Sequence, residues 1–425
     1  MRRLARRIAP LIAVAAFAQE TAPLTLEEAA ALALRNHPRV AAARLSAEAS
    51  QETAKQTRTQ LSPVFAANFT GSVAEHGGRI GAGQLNASSL FSRTGAGISI
   101  TQVLFDFGRV SALTASAKSR AAAQTEMSAA VRAEVLLRVH EAYFRALSAR
   151  ALERVARETL EARKLILRQI SALVASNLRS TLDQSFAELN AIEAELAVDR
   201  AENEARSAMV HLAAAVGSGE ERSYRLADPE MPEPLAPDAE ALSREAIRGR
   251  PDIASLRLNV EAARQFAESE RRQSLPSVTA TGVGGFLGIR DQRLRPHYAA
   301  LGLNLNIPVF NGGLFDSRRR EAGLRAEVSS HELRDLEIRV ARDVRAAWID
   351  AGNAYRRLAL TGKTLEYAGK TVRLARSRYE LGLATVVELN QAELSRTSAE
   401  VTAAAARYDY LWRRSVLNYH AGALR

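Results

Sequence analysis

Two carboxylates occupy matching places in two copies of one turn. Glu388 closes the stretch Tyr379-Glu-Leu-Gly-Leu-Ala-Thr-Val-Val-Glu388, and Asp183 closes a diverged copy, Ser176-Asn-Leu-Arg-Ser-Thr-Leu-Asp183, 205 positions earlier. An acid in the first turn of a helix is favoured by the helix dipole, so each reads first as a cap. Several copies crowded round an axis would instead attract cations and raise one another's pKa by repulsion. Both readings stand at this point for Asp183 and Glu388. The turns themselves are legible. Gly382 and Asn177 are the residue types that accept the left-handed conformation ending a helix. Thr385, three residues before Glu388, predicts a capping box. Leu178, Leu381 and Leu383 beside these turns are apolar residues where solvent is expected.

Other chemistry is excluded by spacing. Thr361-Gly-Lys-Thr364 resembles the end of a phosphate-binding loop, but Arg357 stands where the upstream Gly is required. The glycines of Gly282-Val-Gly-Gly-Phe-Leu-Gly288 lie in a strand pattern and open no helix. The seven His and four Met are scattered, and the absence of Cys removes disulfides and thiolate metal sites. No catalytic triad or paired-carboxylate site is visible, so no enzyme, cofactor or metal centre is expected.

The elements that must hold these turns are long helices. The 425 residues are rich in Ala and poor in aromatics, which suits helices in close lateral contact. Residues 1–18 carry Arg2, Arg3, Arg6 and Arg7, a short apolar run and Ala16-Phe-Ala18, the pattern of a cleaved signal peptide. The formal net charge is +11, four units of which belong to those arginines, leaving +7 interleaved with acids at helical spacing. No basic stripe suits nucleic acid. After the signal peptide no apolar run is long enough for a membrane-spanning helix, leaving a periplasmic, secreted or outer-membrane β-barrel protein.

The chain then reads as two structural repeats. The first covers 19–217: a helix, a β-hairpin about 64–105, a long helix about 108–175 and a helix about 182–216. A proline-rich linker follows at 218–238. The second repeat covers 239–425: a helix, a hairpin about 277–307, a long helix about 312–380 and a helix about 385–421. Gly249-Arg-Pro251 matches Asn36-His-Pro38 at an offset of 213, and the offset becomes 205 after a shorter hairpin loop. A register held this long indicates duplication. Asp106 and Gly108, with Asn311 and Gly313 in the second copy, mark the passage from strand to long helix.

Strands such as 298–307, with Leu301, Leu303 and Leu305 alternating with Gly302, Asn304 and Asn306, have the length and single apolar face of a transmembrane β-strand. Four strands alone leave two unpaired edges in lipid, so closure must come from other copies. The shorter helices, stacked end to end, nearly match the long helix of roughly 100 Å. This predicts a mixed α+β membrane protein: a β-barrel continuous with a helical tube whose far end carries the acidic turns.

The chain resembles the TolC-type outer-membrane efflux family over essentially its whole mature length. The likeness rests on Leu24-Thr-Leu-Glu-Glu-Ala29, Asn36-His-Pro38, Gly249-Arg-Pro-Asp252 and Ile307-Pro-Val-Phe-Asn-Gly-Gly313. The Tyr379–Glu388 stretch and Ala406-Arg-Tyr-Asp-Tyr-Leu411 add to it. The resemblance implies a homotrimer with a twelve-stranded barrel in outer-membrane lipid and a twelve-helix periplasmic tunnel. It implies partners too: a periplasmic adaptor docking on the tips Asn177, Leu178, Leu381, Gly382 and Leu383, and an inner-membrane transporter. It makes Asp183, Glu388 and Tyr379 gate residues. Two positions depart from the pattern: Gln391 replaces a second acid, and Ala384 replaces a basic lock residue. Arg179 sits instead on the other turn, implying a rearranged or weaker lock. The rival expectation is a structural coiled-coil protein that spans the envelope without conducting; cargo stays open among drugs, metal ions and polypeptides.

Overall fold

The computed structural model describes residues 23–72, 81–82, 85–86, 93–218, 224–232, 234–235, 238–290 and 295–424. The expected signal peptide and most of the first hairpin loop lie outside these residues.

Helix α1 spans Leu26–Asn36 and α2 Pro38–Arg58, the first opened by a Thr25–Glu28 capping box closed in both directions. Strands β1 (Val64–Ser72) and β2 (Arg93–Phe105) follow, then the long helix α3 (Arg109–Ala175) and α4 (Thr181–Val216). The second copy repeats the order: α5 (Ala239–Gly249), α6 (Pro251–Arg272), β3 (Ser277–Leu287), β4 (His297–Asn306), α7 (Leu314–Glu380) and α8 (Val386–His420). Both long helices have 67 residues, about 100 Å of rise. No helix among the described residues is long and apolar enough to cross a membrane.

These four strands form one antiparallel sheet in the order β1-β2-β3-β4, and Gly81–Ala82 pairs separately with Leu85–Asn86. Register places Phe65 opposite Ile100, Ile100 opposite Gly282 and Gly282 opposite Leu301, so one face is apolar across all four strands. Phe69 is 81% exposed and Leu301 85%, as lipid-facing side chains would be before a bilayer covers them. The opposite face carries Asn68, Ser99, Thr101, Thr281 and Asn304. On it Tyr298 lies over Gly97 and Gly285, where a Cβ would collide with the phenol. Strand β2 ends at Phe105, where the sequence places the end of the hairpin. The register shifts between Val103 and Phe105, and such a bulge breaks the period of two on which strand reading relies.

The helices form one layer with lateral order α2 and α4, then α3, then α6 and α8, then α7. Two glycines make the end-to-end stacking possible. A Cβ on Gly217, at the end of α4, would come within 2.9 Å of the His37 Cα that starts α2. Gly422, just past α8, stands in the same way against Arg250 at the start of α6. The main core lies at this level, where Tyr143 and Leu212 are fully buried. Tyr143 reaches the carbonyls of Leu24 and Ala227 at 2.8 and 2.7 Å and so ties the linker to α3. Burial pushes its hydroxyl pKa up to about 12.

Candidate gate at the far end of the hairpins

Each long helix ends in the same hydrogen-bonded turn. In the first, Leu178 N donates to Leu173 O at 2.9 Å and Asn177 N to Val174 O at 2.9 Å. In the second, Leu383 N donates to Arg378 O at 2.8 Å and Gly382 N to Tyr379 O at 3.0 Å. Both are Schellman motifs, with Asn177 at φ +56° and Gly382 at φ +73° in the left-handed position. Ser180 then caps α4 and Thr385 caps α8, each hydroxyl accepting a backbone N–H at 3.2 Å. The Thr385–Glu388 box is made in one direction only among the described residues. The hydroxyl of Thr385 satisfies Glu388 N, and the exposed Glu388 carboxylate does not return to Thr385 N. Asp183 is half-buried in the first turn of α4.

The two turns are joined through Arg179. Its guanidinium donates to the Tyr379 carbonyl at 3.1 Å and stacks 4.3 Å from the centroid of the Tyr379 ring. Tyr379 is buried with Ile170, Ala187, Val386 and Leu389 in a small apolar cluster, and Ala384 packs against it. Burial raises the pKa of the Tyr379 hydroxyl; Arg179 draws it down and Asp183 pushes it up. The structure therefore brings together Arg179, Tyr379 and Asp183. Leu178, Leu381 and Leu383 point away, each at least two-thirds exposed. Gln391 lines a separate hydroxyl-rich groove between α7 and α8.

At the other end of the long helices, Asp106 is a structural cap. Its carboxylate accepts from Gly108 N at 3.0 Å and Val110 N at 2.7 Å, while Arg272 binds the Gly108 carbonyl at 3.0 Å. Phe107 and Gly108 both take positive φ there. The second copy makes the same passage with Gly312 at φ +65° and Gly313 at φ +83° following Asn311.

Sequence reading missed a buried charge cluster above the turns. Arg163 on α3 reaches Asn390 on α8 at 3.4 Å, and Glu393 on α8 holds Arg376 on α7 at 2.7 Å. The available signal is that Arg163 and Glu393 interrupt apolar stripes, Leu160–Leu167–Ile170 and Val386–Leu389, at core spacing. No group of His, Cys, Asp and Glu among the described residues has the arrangement of a metal site.

The model of the family described as "Outer membrane efflux protein" matches residues 29–218 and again 242–422. The chain belongs to that family. The two matches are the two repeats. The family is one of channels, and this chain is an outer-membrane efflux channel with a periplasmic helical extension. It is 26% identical over 419 residues to the alkaline protease secretion protein AprF of Pseudomonas aeruginosa, covering 92% of this chain and 83% of that one. It is 23% identical over 349 residues to the outer membrane protein TolC of Escherichia coli, covering 75% and 67%. The crystal structure of VceC from Vibrio cholerae superposes with a TM-score of 0.77 at 20% identity, over 93% of this chain and 96% of that one.

Proposed function

We propose that this outer-membrane efflux protein is the passive exit duct of a tripartite efflux or secretion system, closed as a homotrimer and gated at the Arg179–Tyr379 end. The observation that carries it is the pair of open edges. The sheet ends in β1 on one side and β4 on the other, and the helical layer ends on the same two sides in α2 with α4 and in α7. An edge of unpaired backbone groups is not tolerated in lipid, so β4 of one copy must meet β1 of the next. Such a head-to-tail contact either closes a ring or grows without end. Three copies give about twelve strands, enough to leave an opening where eight would be filled by side chains.

In that ring the three Asp183 and Glu388 carboxylates face one constriction and attract cations. The exposed Leu178, Leu381 and Leu383 around Asn177 and Gly382 suit docking of an adaptor, which passes on cargo from an energised inner-membrane transporter. The test is conductance of the purified trimer in planar bilayers. Wild type should conduct weakly and be blocked by divalent cations at the periplasmic side. Asp183→Ala with Glu388→Ala should conduct more and lose that block, and a trimer that never conducts would leave a purely structural role.

A further inference from the structure

Buried charges lie between the hairpins, inward of the Arg179–Tyr379 contact. α3 packs on α4, α7 packs on α8, and the two hairpins meet chiefly where α3 touches α8. Below the main core the hairpin interiors are apolar and small, with Ala187, Ala191 and Ala194 buried along α4. The α3–α8 seam differs. Arg163 is 5% exposed and Glu393 6% exposed, yet both are charged. Arg163 reaches the Asn390 side-chain oxygen at 3.4 Å, and Arg376 donates to Glu393 at 2.7 Å. These residues lie about one to three helical turns above the tip turns. Burial lowers the pKa of Arg163, while Glu393 on α8 and Glu193 on α4 draw it back up. The cation thus sits between acids from both hairpins.

We infer that Arg163, Asn390, Glu393 and Arg376 form a second latch, which holds the two hairpins together inward of the tip and comes apart when the duct opens. This rests on the gate reading above and adds a position to it. The physical reason lies in how buried charges behave. Desolvation offsets most of the attraction between buried ions, and water restores their hydration when they separate. Parting an apolar seam of the same area exposes surface with no such return. A charged seam is therefore held in register and still easy to open. Removing one partner leaves a charge buried alone, whereas replacing the pair by apolar side chains of similar size is neutral or stabilising. The latch therefore predicts opposite effects for two kinds of variant.

The experiment measures single-channel conductance of purified trimers in planar bilayers, with assembly checked by size-exclusion chromatography. Glu393→Gln removes the partner of Arg376 and one of the two acids that act on the buried Arg163, and should raise mean conductance at least twofold. Arg163→Met with Glu393→Met fills the seam with apolar side chains, and its half-exposed Arg376 can turn to water. That double variant should assemble and conduct no more than wild type. Arg179→Ala serves as the comparison at the tip. If it raises conductance while both latch variants match wild type, the latch is wrong and the tip gate stands. If none of the three changes conductance, gating at this end is wrong as well. A shift of both latch variants in the same direction also overturns the proposal. Should Glu393→Gln fail to assemble, the double variant decides alone: conductance above wild type refutes the latch, and conductance at or below wild type supports it.

Discussion

Tyr379 offers its ring and its carbonyl to Arg179 and hides its hydroxyl, which has no hydrogen-bond partner among the described residues. The contact between the turns therefore does not need the phenolic oxygen. Tyr379→Phe should leave conductance near wild type. Tyr379→Ala should raise it severalfold, since a cation–π contact contributes about 0.5–2 kcal/mol. Bilayer recordings of the two variants separate ring from hydroxyl, and equal effects would refute this division. A second residue, His140, bears on pH. Burial lowers its pKa from 6.5 to about 4, and its Nδ1 lies 2.9 Å from the Ser415 hydroxyl on α8. The folded form binds fewer protons than the unfolded one. Stability from this site is whole above about pH 6.5 and falls as the pH drops toward 4. The full loss is about 3 kcal/mol per chain. His140→Leu should flatten the melting temperature between pH 6.5 and 4 relative to wild type. An unchanged slope would mean that His140 is protonated without cost.

At the scale of elements, the turns matter more than the helices they join. Any substitution at Gly382 must accept φ +73°, which costs an ordinary L-residue roughly 1–2 kcal/mol. Gly382→Val should keep the trimer, because nothing lies within 4 Å of the position a Cβ would take. It should still reshape the tip and abolish drug resistance or secretion in cells; full efflux from an assembled Gly382→Val trimer would remove this turn from adaptor docking. Much of this level was legible in the chain. Left-handed Gly382 and Asn177, the strand alternation and the long Gly- and Pro-free α3 depend on local chemistry and appear where that chemistry places them. The reach of Arg179 to Tyr379 was not legible in the same way, because it crosses two hairpins 200 positions apart. The return bond of Glu388 was expected and is missing, since Thr385 alone satisfies the cap and leaves the carboxylate to solvent. Arg163 and Glu393 looked like solvated charges because the burial that defines them comes from helices packed long after each was read.

The whole molecule is decided by what a single chain leaves uncovered. On α4, Leu182, Leu189 and Leu196 recur every seventh residue and are half exposed or more. On α7, Tyr367 and Leu374 do the same, and Leu381 continues the stripe just past its end. A seven-residue apolar repeat is the seam of a coiled coil, and the two helices run in opposite directions from the same tip. They also stand on opposite edges of the protomer, so neither can cover the other within one chain. In the ring proposed above they would meet, and the antiparallel register would set Leu182 against Leu381, Leu189 against Leu374, and Leu196 against Tyr367 of the adjacent copy. Without native Cys, the pairing can be tested without altering any other position. Leu189→Cys with Leu374→Cys, treated with a short bis-maleimide, should link chains into dimer and trimer bands on a denaturing gel. Either substitution alone should give monomer. Leu189→Cys with Leu360→Cys, which lies two heptads from the in-register Leu374, should link at least fivefold less. Equal linking in both pairs would mean that the stripes face lipid-free solvent or another partner, and the order of helices around the duct would have to be redrawn.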